Sequence, residues 1–301
     1  MCKTFFNEVL CVRKKRLLFR IGSDAGFFSE YNNMVLTILY CKKHGIQFYL
    51  SSKDANFAYS CGWRDYFESF CREINLPHQQ VMNPRYSHPF PTNGKREKIK
   101  RFVFNILKNL LRIDLLTYNV FDSARSQEVN DVLIEDCRKI NQSIWKYNKS
   151  TLQAIEKRKM TISLPKEYVG LHIRRGDKSM ETKHTGLQQY IDALAVHSKC
   201  RNVFVATDDY SVYEELCQKY PTWAFYTLTT PQHSGYNQRT FEKYTKAHKY
   251  DEMISLFTDI ELLASSSLFV GTLSSNIGMY LYWRLPKGKC IGVDYREWRI
   301  W

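Results

Sequence analysis

Short apolar runs alternate with longer stretches of helical spacing from the start of this chain. Strands are predicted at Arg16–Ile21 and Ile46–Leu50, where the runs have the length and composition of buried strands. Between them, apolar positions at helical spacing predict a helix from about Tyr31 to Lys43, with Gly45 as its C-terminal cap. A strand, a helix and a second strand in this order form a βαβ unit, which implies a parallel sheet.

The longest predicted helix follows near the middle of the chain. It runs from Asn130 to about Glu156 and carries a stripe of apolar residues on one side. Pro165 closes this region before Tyr168–Ile173, a run with the pattern of a strand buried on both faces. We place a domain boundary there, and predict an N-terminal α/β domain at 1–160 and a C-terminal domain at 161–301.

The second half continues as an alternation of strands and helices, which is typical of a doubly wound parallel sheet. Further strands are predicted at Asn202–Thr207, Trp223–Tyr226, Ser267–Thr272 and Cys290–Val293. Helices are predicted at Leu187–His197, Tyr210–Tyr220, Asp251–Ala264 and Asn276–Arg284. The fold class is therefore α/β, with a Rossmann-like C-terminal domain whose ligands bind beyond the carboxyl ends of the strands.

Residues 95–112 combine an apolar helical face with a strongly basic remainder. Phe102, Ile106 and Leu110 belong to the apolar face, and seven lysines and arginines occupy much of the rest. A core-facing helix with a solvated basic side is the preferred interpretation. The alternative is peripheral contact with an anionic membrane surface, which a basic amphipathic helix also suits.

The charge and the cysteines of the whole chain narrow the class of protein. The formal net charge is +14, which favours an anionic partner such as nucleic acid, a membrane surface or a phosphorylated ligand. The nine cysteines form no CxxC pair, so we interpret them as reduced thiols. Near the N-terminus no apolar stretch is long enough for a signal or an anchor, because Arg13–Arg16 interrupts it, and we expect a cytoplasmic protein.

Two arginines follow the central strand at the edge where ligands bind. Arg174 and Arg175 emerge there, and Gly176 allows a sharp turn or a close approach to a ligand. A planar guanidinium matches two phosphate oxygens at once, and each charge-assisted hydrogen bond contributes about 1.5–3 kcal/mol. The segment is therefore a candidate diphosphate clamp, and the alternative is a solvated turn or a salt-bridge anchor.

Carboxylates and hydroxyls follow two other predicted strands. Asp208 and Asp209 come after the strand that ends at Thr207, where they suit a Mg²⁺ ion, the orientation of the arginines or a ribose, or the cap of the next helix. The arginines argue against a metal, because they already supply positive charge. Ser274 and Ser275 precede a helix, where hydroxyls and amides suit a phosphate but also cap the helix.

Three further residues are candidates on local grounds. Asp259 lies among apolar neighbours of a predicted helix, where a carboxylate is costly to bury unless it is paired, and the alternative is a surface acid. His172 lies near the end of the central strand, and a lone histidine there is more often a satisfied core residue. Gly26 belongs to a loop before the first helix, where backbone amides can bind an anion.

Three segments resemble, in order, the motifs of one enzyme superfamily. Residues 172–178, HIRRGDK, residues 206–209, ATDD, and residues 271–276, GTLSSN, resemble the superfamily of α-1,2-, α-1,6- and protein-O-fucosyltransferases. Lys178 makes the first motif most similar to the α-1,6 branch, which contains the core-fucosylating and nodulation-factor enzymes. That branch usually has threonine where this chain has Gly176, and glycine there is more like the α-1,2 branch.

The resemblance implies a glycosyltransferase B-type fold, with two Rossmann-like domains facing across a cleft, and GDP-fucose as the donor. In the family the aspartate that matches Asp259 recognises guanine, the histidine that matches His172 lies beside the base, and the loop of Gly26 touches the pyrophosphate. No metal is expected, because the family carries ATDD and acts without one. The residues then expected to bind the donor are His172, Arg174, Arg175, Asp208, Asp209, Asp259, Ser274, Ser275 and Gly26.

The predicted function is inverting transfer of L-fucose from GDP-fucose to a glycan hydroxyl, with an α-1,6-type linkage. Arg174, with Lys178 and Ser274, stabilises the leaving diphosphate in this scheme. Asp177 and Glu181 are the candidate bases, although the family's glutamate would fall one residue after Glu181. An oligosaccharide or glycolipid is the expected acceptor, with peripheral contact at the inner face of a membrane as a further possibility.

Three alternatives stay open at this point. An α-1,2-fucosyltransferase is favoured by Gly176 and disfavoured by Lys178 and the GTLSSN segment. A basic nucleic-acid-binding protein would explain the charge, but the chain shows no recognisable binding motif, so no nucleic acid is expected. A non-catalytic protein that binds a GDP-sugar would share the donor site without turnover.

Overall fold

The computed structural model describes residues 16–22, 25–74, 113–115, 129–176 and 185–298, and also Phe102, Ile106 and Leu110. Within this part of the chain, eight strands form two sheets, and every strand pair is parallel. The predicted α/β class with parallel sheets is therefore confirmed.

The first sheet has the strand order β2-β1-β3. Its strands are β1 (Arg16–Arg20), β2 (Gln47–Ser51) and β3 (Ile113–Leu115), and the last of these was not predicted. Helix α1 (Phe27–Lys43) connects β1 to β2, which confirms the βαβ unit. The helix begins one turn earlier than predicted, because Gly26 is extended and serves as the N-terminal cap.

The second sheet has the strand order β6-β5-β4-β7-β8. Its strands are β4 (Val169–Ile173), β5 (Asn202–Thr207), β6 (Ala224–Tyr226), β7 (Phe269–Gly271) and β8 (Cys290–Gly292). The remaining helices are α2 (Asp131–Ile144), α3 (Lys149–Lys159), α4 (Leu187–His197), α5 (Tyr210–Lys219), α6 (Gln238–Glu242), α7 (Lys246–Ser265) and α8 (Asn276–Arg284). Each strand predicted in this half is present, although several are shorter at their ends than the sequence pattern indicates.

The prediction of one long helix from Asn130 to Glu156 is wrong, because the chain breaks between α2 and α3. Asn148 caps α3 by accepting a hydrogen bond from the Thr151 amide at 2.9 Å. The segment before it pairs with residues 66–68, since the Glu68 amide donates to the carbonyl of Lys146 at 2.7 Å. These contacts lie between segments far apart in sequence, and the apolar spacing continues across the break.

Aromatic contacts join the two halves of the chain. The ring of Phe27 lies edge-on to Phe257, with 5.3 Å between centroids, and Phe28 lies against Tyr280 at 4.7 Å. These rings belong to a single hydrophobic cluster that contains side chains packed on both sheets. The position of the boundary near residue 160 stays a prediction. The seven cysteines in the described part of the chain are free thiols.

Three residues of the predicted basic helix can be described. Phe102, Ile106 and Leu110 are helical and expose 66%, 42% and 74% of their surfaces. At these positions the core-facing interpretation is therefore wrong, and the other residues of 95–112 lie outside the described ones. Among the helices that the structure describes, none is long and apolar enough to cross a membrane.

Candidate active site

The order of the second sheet brings the three sequence motifs to one edge. Strand β4 lies between β5 and β7, and all three run in the same direction. The segments after them, which carry Arg174, Asp208 and Ser274, therefore leave the sheet at its carboxyl edge. The chain proceeds outward from β4 through β5 to β6 and then returns to the other side of β4 as β7. This reversal is the switch point at which open α/β sheets bind their ligands.

The two arginines that follow β4 have different neighbours. Arg174 lies near enough to the buried His172 to affect the pKa of its imidazole, and Arg175 affects the pKa of the Tyr190 hydroxyl in the same way. The guanidinium of Arg175 donates to the carbonyl oxygen of Thr185 at 3.1 Å. That of Arg174 lies over the ring of Tyr236, with 5.0 Å between Cζ and the ring centroid. The two predicted clamp residues thus have different surroundings.

His172 is a buried histidine close to Arg174. It is 6% exposed, and its Nδ1 has no hydrogen-bond partner among the described residues. Burial, with a smaller contribution from the nearby Arg174, lowers the pKa of its imidazole to about 4, although Asp208 opposes both. The imidazole is therefore neutral near pH 7 and has one N–H to donate and one nitrogen to accept.

Asp208 organises the turn that follows β4. Its carboxylate accepts hydrogen bonds from the amides of Arg175 at 2.8 Å, Gly176 at 3.1 Å and Tyr236 at 3.1 Å. Of the roles considered for Asp208, this geometry favours orientation of the arginine turn. Asp209 instead caps α5, since it accepts from the amide of Ser211 at 3.0 Å.

Residues 227–237, which we call the strap, connect β6 to α6 and lie along the end of β5. The Thr229 hydroxyl donates to the carbonyl of Thr207 at 2.7 Å, and the Gly235 amide donates to that of Asp208 at 2.7 Å. Tyr236 brings its ring to Arg174 from this segment. The sequence reasoning missed the strap, because its residues have neither helical nor strand periodicity.

Asp259 lies on α7 within a group of ionisable side chains. The residue is half-buried, and desolvation by the protein atoms around it raises the pKa of its carboxyl to about 7, while Arg158 and His233 oppose that rise. Glu252, one of its charged neighbours, lies 3.8 Å from His233 and 3.4 Å from His248. These ion pairs raise the pKa of His233 and lower that of Glu252. The interpretation of Asp259 as a plain surface acid is therefore wrong.

A carboxylate of the protein itself binds the loop between β7 and α8. Ser275 caps α8 by accepting from the amide of Gly278 at 3.0 Å. The amides of Leu273 and Ser274 donate to the carboxylate of Asp294, at 2.6 and 2.9 Å. These amides are therefore occupied by a protein carboxylate, and the sequence reasoning missed Asp294 because it follows a strand some twenty residues later.

The first half reaches the same edge through the N-terminus of α1. Gly26 caps this helix, and a Cβ atom placed on Gly26 would lie 3.8 Å from the side-chain oxygen of Gln238. The side-chain Nδ2 of Asn32 donates to the backbone carbonyl of Asn276, at the start of α8, at 2.9 Å. Gly26 thus lies near the start of α6, next to the strap, and Asn32 connects α1 to the start of α8. That Gly26 faces the donor from the opposite domain stays a prediction.

Part of the predicted catalytic set is outside the described residues, namely Asp177, Lys178 and Glu181. In the described ranges, no three His, Cys, Asp or Glu side chains are grouped so as to hold a metal ion. Metal independence stays a prediction, and so do the roles of the individual site residues.

Comparisons with known proteins agree with this geometry. Residues 138–282 match the family of α-(1,6)-fucosyltransferase N- and catalytic domains, and this range contains all three motifs. An α-(1,6)-fucosyltransferase of Caenorhabditis elegans is 27% identical over 167 residues, which cover 51% of this chain and 29% of the worm protein. The chain therefore matches less than a third of the length of that relative.

Solved structures show the same fold at low sequence identity. The fucosyltransferase NodZ from Bradyrhizobium has a TM-score of 0.53 and 15% identity, over 91% of this chain and 94% of NodZ. POFUT1 in complex with GDP-fucose has a TM-score of 0.52 and 10% identity, over 95% and 97% of the two chains. The fold is thus the predicted glycosyltransferase B type, and residues 138–282 are similar to the α-(1,6)-fucosyltransferase family.

Proposed function

We propose that this protein transfers L-fucose from GDP-fucose to a glycan hydroxyl, with inversion at the anomeric carbon and an α-1,6-type linkage. The observation that carries the proposal is the arginine turn at the switch point. Asp208 accepts hydrogen bonds from the amides of the turn, and Arg174 lies close to His172. The NodZ structure soaked with GDP-fucose and the POFUT1 complex have this fold, which supports GDP-fucose as the donor.

The guanine and the diphosphate of the donor are assigned to different side chains of this site. Guanine presents two N–H donors side by side, which one ionised carboxylate accepts well, and Asp259 is our candidate for that contact. Arg174 is the candidate for the diphosphate, because its planar guanidinium binds two oxygens at once. The neutral imidazole of His172 suits a contact with the base or ribose that carries no charge.

In the proposed reaction an acceptor hydroxyl oxygen attacks the anomeric carbon as the bond from that carbon to the β-phosphate oxygen breaks. The electron pair of the broken bond leaves on GDP, and Arg174 stabilises the added negative charge. The acceptor's proton passes to a carboxylate, for which Asp177 and Glu181 remain the candidates. If Glu181 is the base, Glu181→Gln lowers turnover by at least a hundredfold and leaves GDP affinity nearly unchanged. Unchanged turnover would remove Glu181 from the scheme.

The direct test is the release of GDP from GDP-fucose in the presence of a panel of oligosaccharide and glycolipid acceptors. We expect release with at least one acceptor, and a fucosylated product whose linkage is read by NMR. An α-1,2 linkage in the product would favour the branch that Gly176 resembles. GDP binding without turnover on any acceptor would favour a non-catalytic GDP-sugar-binding protein. Salt-dependent RNA binding without GDP binding would favour a nucleic-acid-binding protein.

The exposed apolar positions Phe102, Ile106 and Leu110 favour a peripheral contact with an anionic membrane. They follow one another at four-residue spacing, and seven basic residues between 95 and 112 complement an anionic lipid surface. Phe102→Glu is expected to reduce sedimentation with vesicles that contain phosphatidylserine. Equal sedimentation of the variant and the wild type would contradict this contact.

A further inference from the structure

The arginine that we assign to the diphosphate is held from the side by an aromatic ring of the strap. The Cζ atom of Arg174 lies 5.0 Å from the centroid of the Tyr236 ring, within the distance at which a guanidinium is attracted to an aromatic face. A flexible arginine loses less conformational freedom on binding when a neighbour already restricts it. We therefore infer that Tyr236 is a positioning residue that preorganises Arg174 for the donor diphosphate. This inference rests on the proposed function.

The backbone of Tyr236 is tied to the same turn as Arg174. Its amide donates to Oδ2 of Asp208 at 3.1 Å, and the amide of Gly176 donates to the same oxygen at 3.1 Å. The other carboxylate oxygen accepts from the amide of Arg175 at 2.8 Å. The carboxylate of Asp208 thus binds both the arginine turn and the strap. It fixes the backbone that carries the Tyr236 ring and the backbone next to Arg174 relative to each other.

Two glycines allow the strap to lie this close to the turn. An ideal Cβ atom on Gly176 would lie 2.2 Å from the carbonyl oxygen of Tyr236 and 2.5 Å from its amide nitrogen. No side chain fits at those distances. Gly235 has a φ of +103°, and a Cβ atom on it would lie 3.0 Å from the Cα of Gly176. The glycine at position 176, where the α-1,6 branch usually has threonine, is therefore required by the position of the strap.

The strap is held at a second point as well. The hydroxyl of Tyr236 donates to Oε1 of Gln238 at 2.7 Å, at the start of α6. The carbonyl of His233 accepts from the amide of Tyr210 at 2.9 Å, and the His233 ring faces Glu252 of α7 at 3.8 Å. The ring of Tyr236 thus belongs to a segment that is held in place, and it contacts the arginine that we assign to the donor diphosphate.

The inference is tested by a double-mutant cycle between the ring and the guanidinium. GDP affinity is measured for the wild type, Tyr236→Leu, Arg174→Ala and the double variant, with NMR titration at millimolar GDP where binding is weak. We expect Tyr236→Leu to weaken GDP binding about tenfold in the wild-type background and to have no further effect in the Arg174→Ala background. Tyr236→Phe keeps the ring and removes the hydroxyl that donates to Gln238, so it is expected to stay within about threefold of the wild type.

Two further measurements separate positioning from a general structural effect. The kcat/KM for GDP-fucose is expected to fall with Tyr236→Leu and to recover in Tyr236→Phe, while the melting temperatures of both variants stay close to that of the wild type. Gly235→Ala displaces the strap without changing the ring, because its φ is unfavourable for alanine, and is expected to weaken GDP binding several-fold.

Three results would overturn the inference, and they are distinguishable. If Tyr236→Leu binds GDP as tightly as the wild type while Arg174→Ala does not, the ring does not position Arg174 and the proposed function is unaffected. If Tyr236→Leu weakens binding equally in both backgrounds, the ring acts independently of Arg174. If the wild type binds no GDP, both the inference and the proposed function fail.

Discussion

At the scale of single residues, Asp208 is the centre of the site. Its carboxylate accepts hydrogen bonds from the amides of Arg175, Gly176 and Tyr236, which belong to two segments of the chain. If this carboxylate is removed, the three partly buried amides lose a charged acceptor that nothing equivalent replaces. The residue thus couples the stability of the strap to the geometry of the proposed diphosphate site.

Asp208→Ala is expected to lower the free energy of unfolding by about 3 kcal/mol, because three amides lose a charged acceptor. GDP binding is expected to weaken with it, since the arginine turn loses its support. Asp209→Ala is the matched comparison, and loss of its cap on α5 is expected to cost about 1 kcal/mol. Chemical denaturation measures both variants, and equal losses would show that Asp208 is no more than a local cap.

The carboxyl of Asp259 predicts a pH dependence of GDP binding. Its pKa is raised from 3.8 to about 7, so its contribution to stability is present below pH 3.8 and is lost as pH rises through about 7. Acceptance of two guanine N–H donors requires the ionised form. GDP affinity is therefore expected to increase about tenfold between pH 6 and pH 8, as the ionised fraction increases.

The same titration on Asp259→Asn is the control for this prediction. The variant is expected to bind GDP more weakly and to lose most of the pH dependence. His233 and Glu252 also titrate near this site, but both remain in the variant, so their influence is common to the two proteins. An identical slope in wild type and variant would contradict a role of the Asp259 carboxylate in binding the base.

At the scale of elements, the break between α2 and α3 is a place where side chains decide the local structure. Asn148 accepts from the Thr151 amide and donates from Nδ2 to the carbonyls of Arg64 at 3.0 Å and Asp65 at 3.1 Å. It therefore caps α3 and also connects it to the segment of Trp63, which is fully buried. This segment contributes to the aromatic core that joins the two halves.

Asn148→Ala is expected to lower the free energy of unfolding by about 2 kcal/mol, because a cap and two cross-chain hydrogen bonds are lost together. Asn130→Ala removes only the cap of α2, where the side chain accepts from the Leu133 amide at 2.9 Å, and is expected to cost about 1 kcal/mol. Equal values from urea denaturation would show that the bonds to Arg64 and Asp65 contribute nothing.

The same elements show what the sequence could predict and what it could not. The apolar run of β4 was sufficient to predict the central strand, with Arg174 and Arg175 following it at the carboxyl edge of the sheet. The sequence pattern left three roles open for Asp208, because its partners include Tyr236, which lies 28 positions further along the chain. The strap, Asp294 and the break before Asn148 all depend on such distant contacts, which local periodicity does not encode.

At the scale of the whole molecule, aromatic contacts join the two halves, and helix α1 reaches the start of α6 at Gly26 and the start of α8 at Asn32. The edge where these parts meet also receives the segments that carry the three family motifs. A net charge of +14 adds a long-range attraction for an anionic donor. We therefore expect this edge to bind GDP through Arg174.

Calorimetric titration of GDP, with UDP and ADP as controls and with EDTA in place of added metal, tests this claim most directly. Arg201→Ala is the matched control, because Arg201 also lies over an aromatic ring, that of Trp223 at 4.2 Å, but precedes β5 at the other end of the sheet. We predict selective binding of GDP that is retained in Arg201→Ala and weakened at least tenfold in Arg174→Ala. Absence of GDP binding, or equal binding by Arg174→Ala and the wild type, would contradict the account.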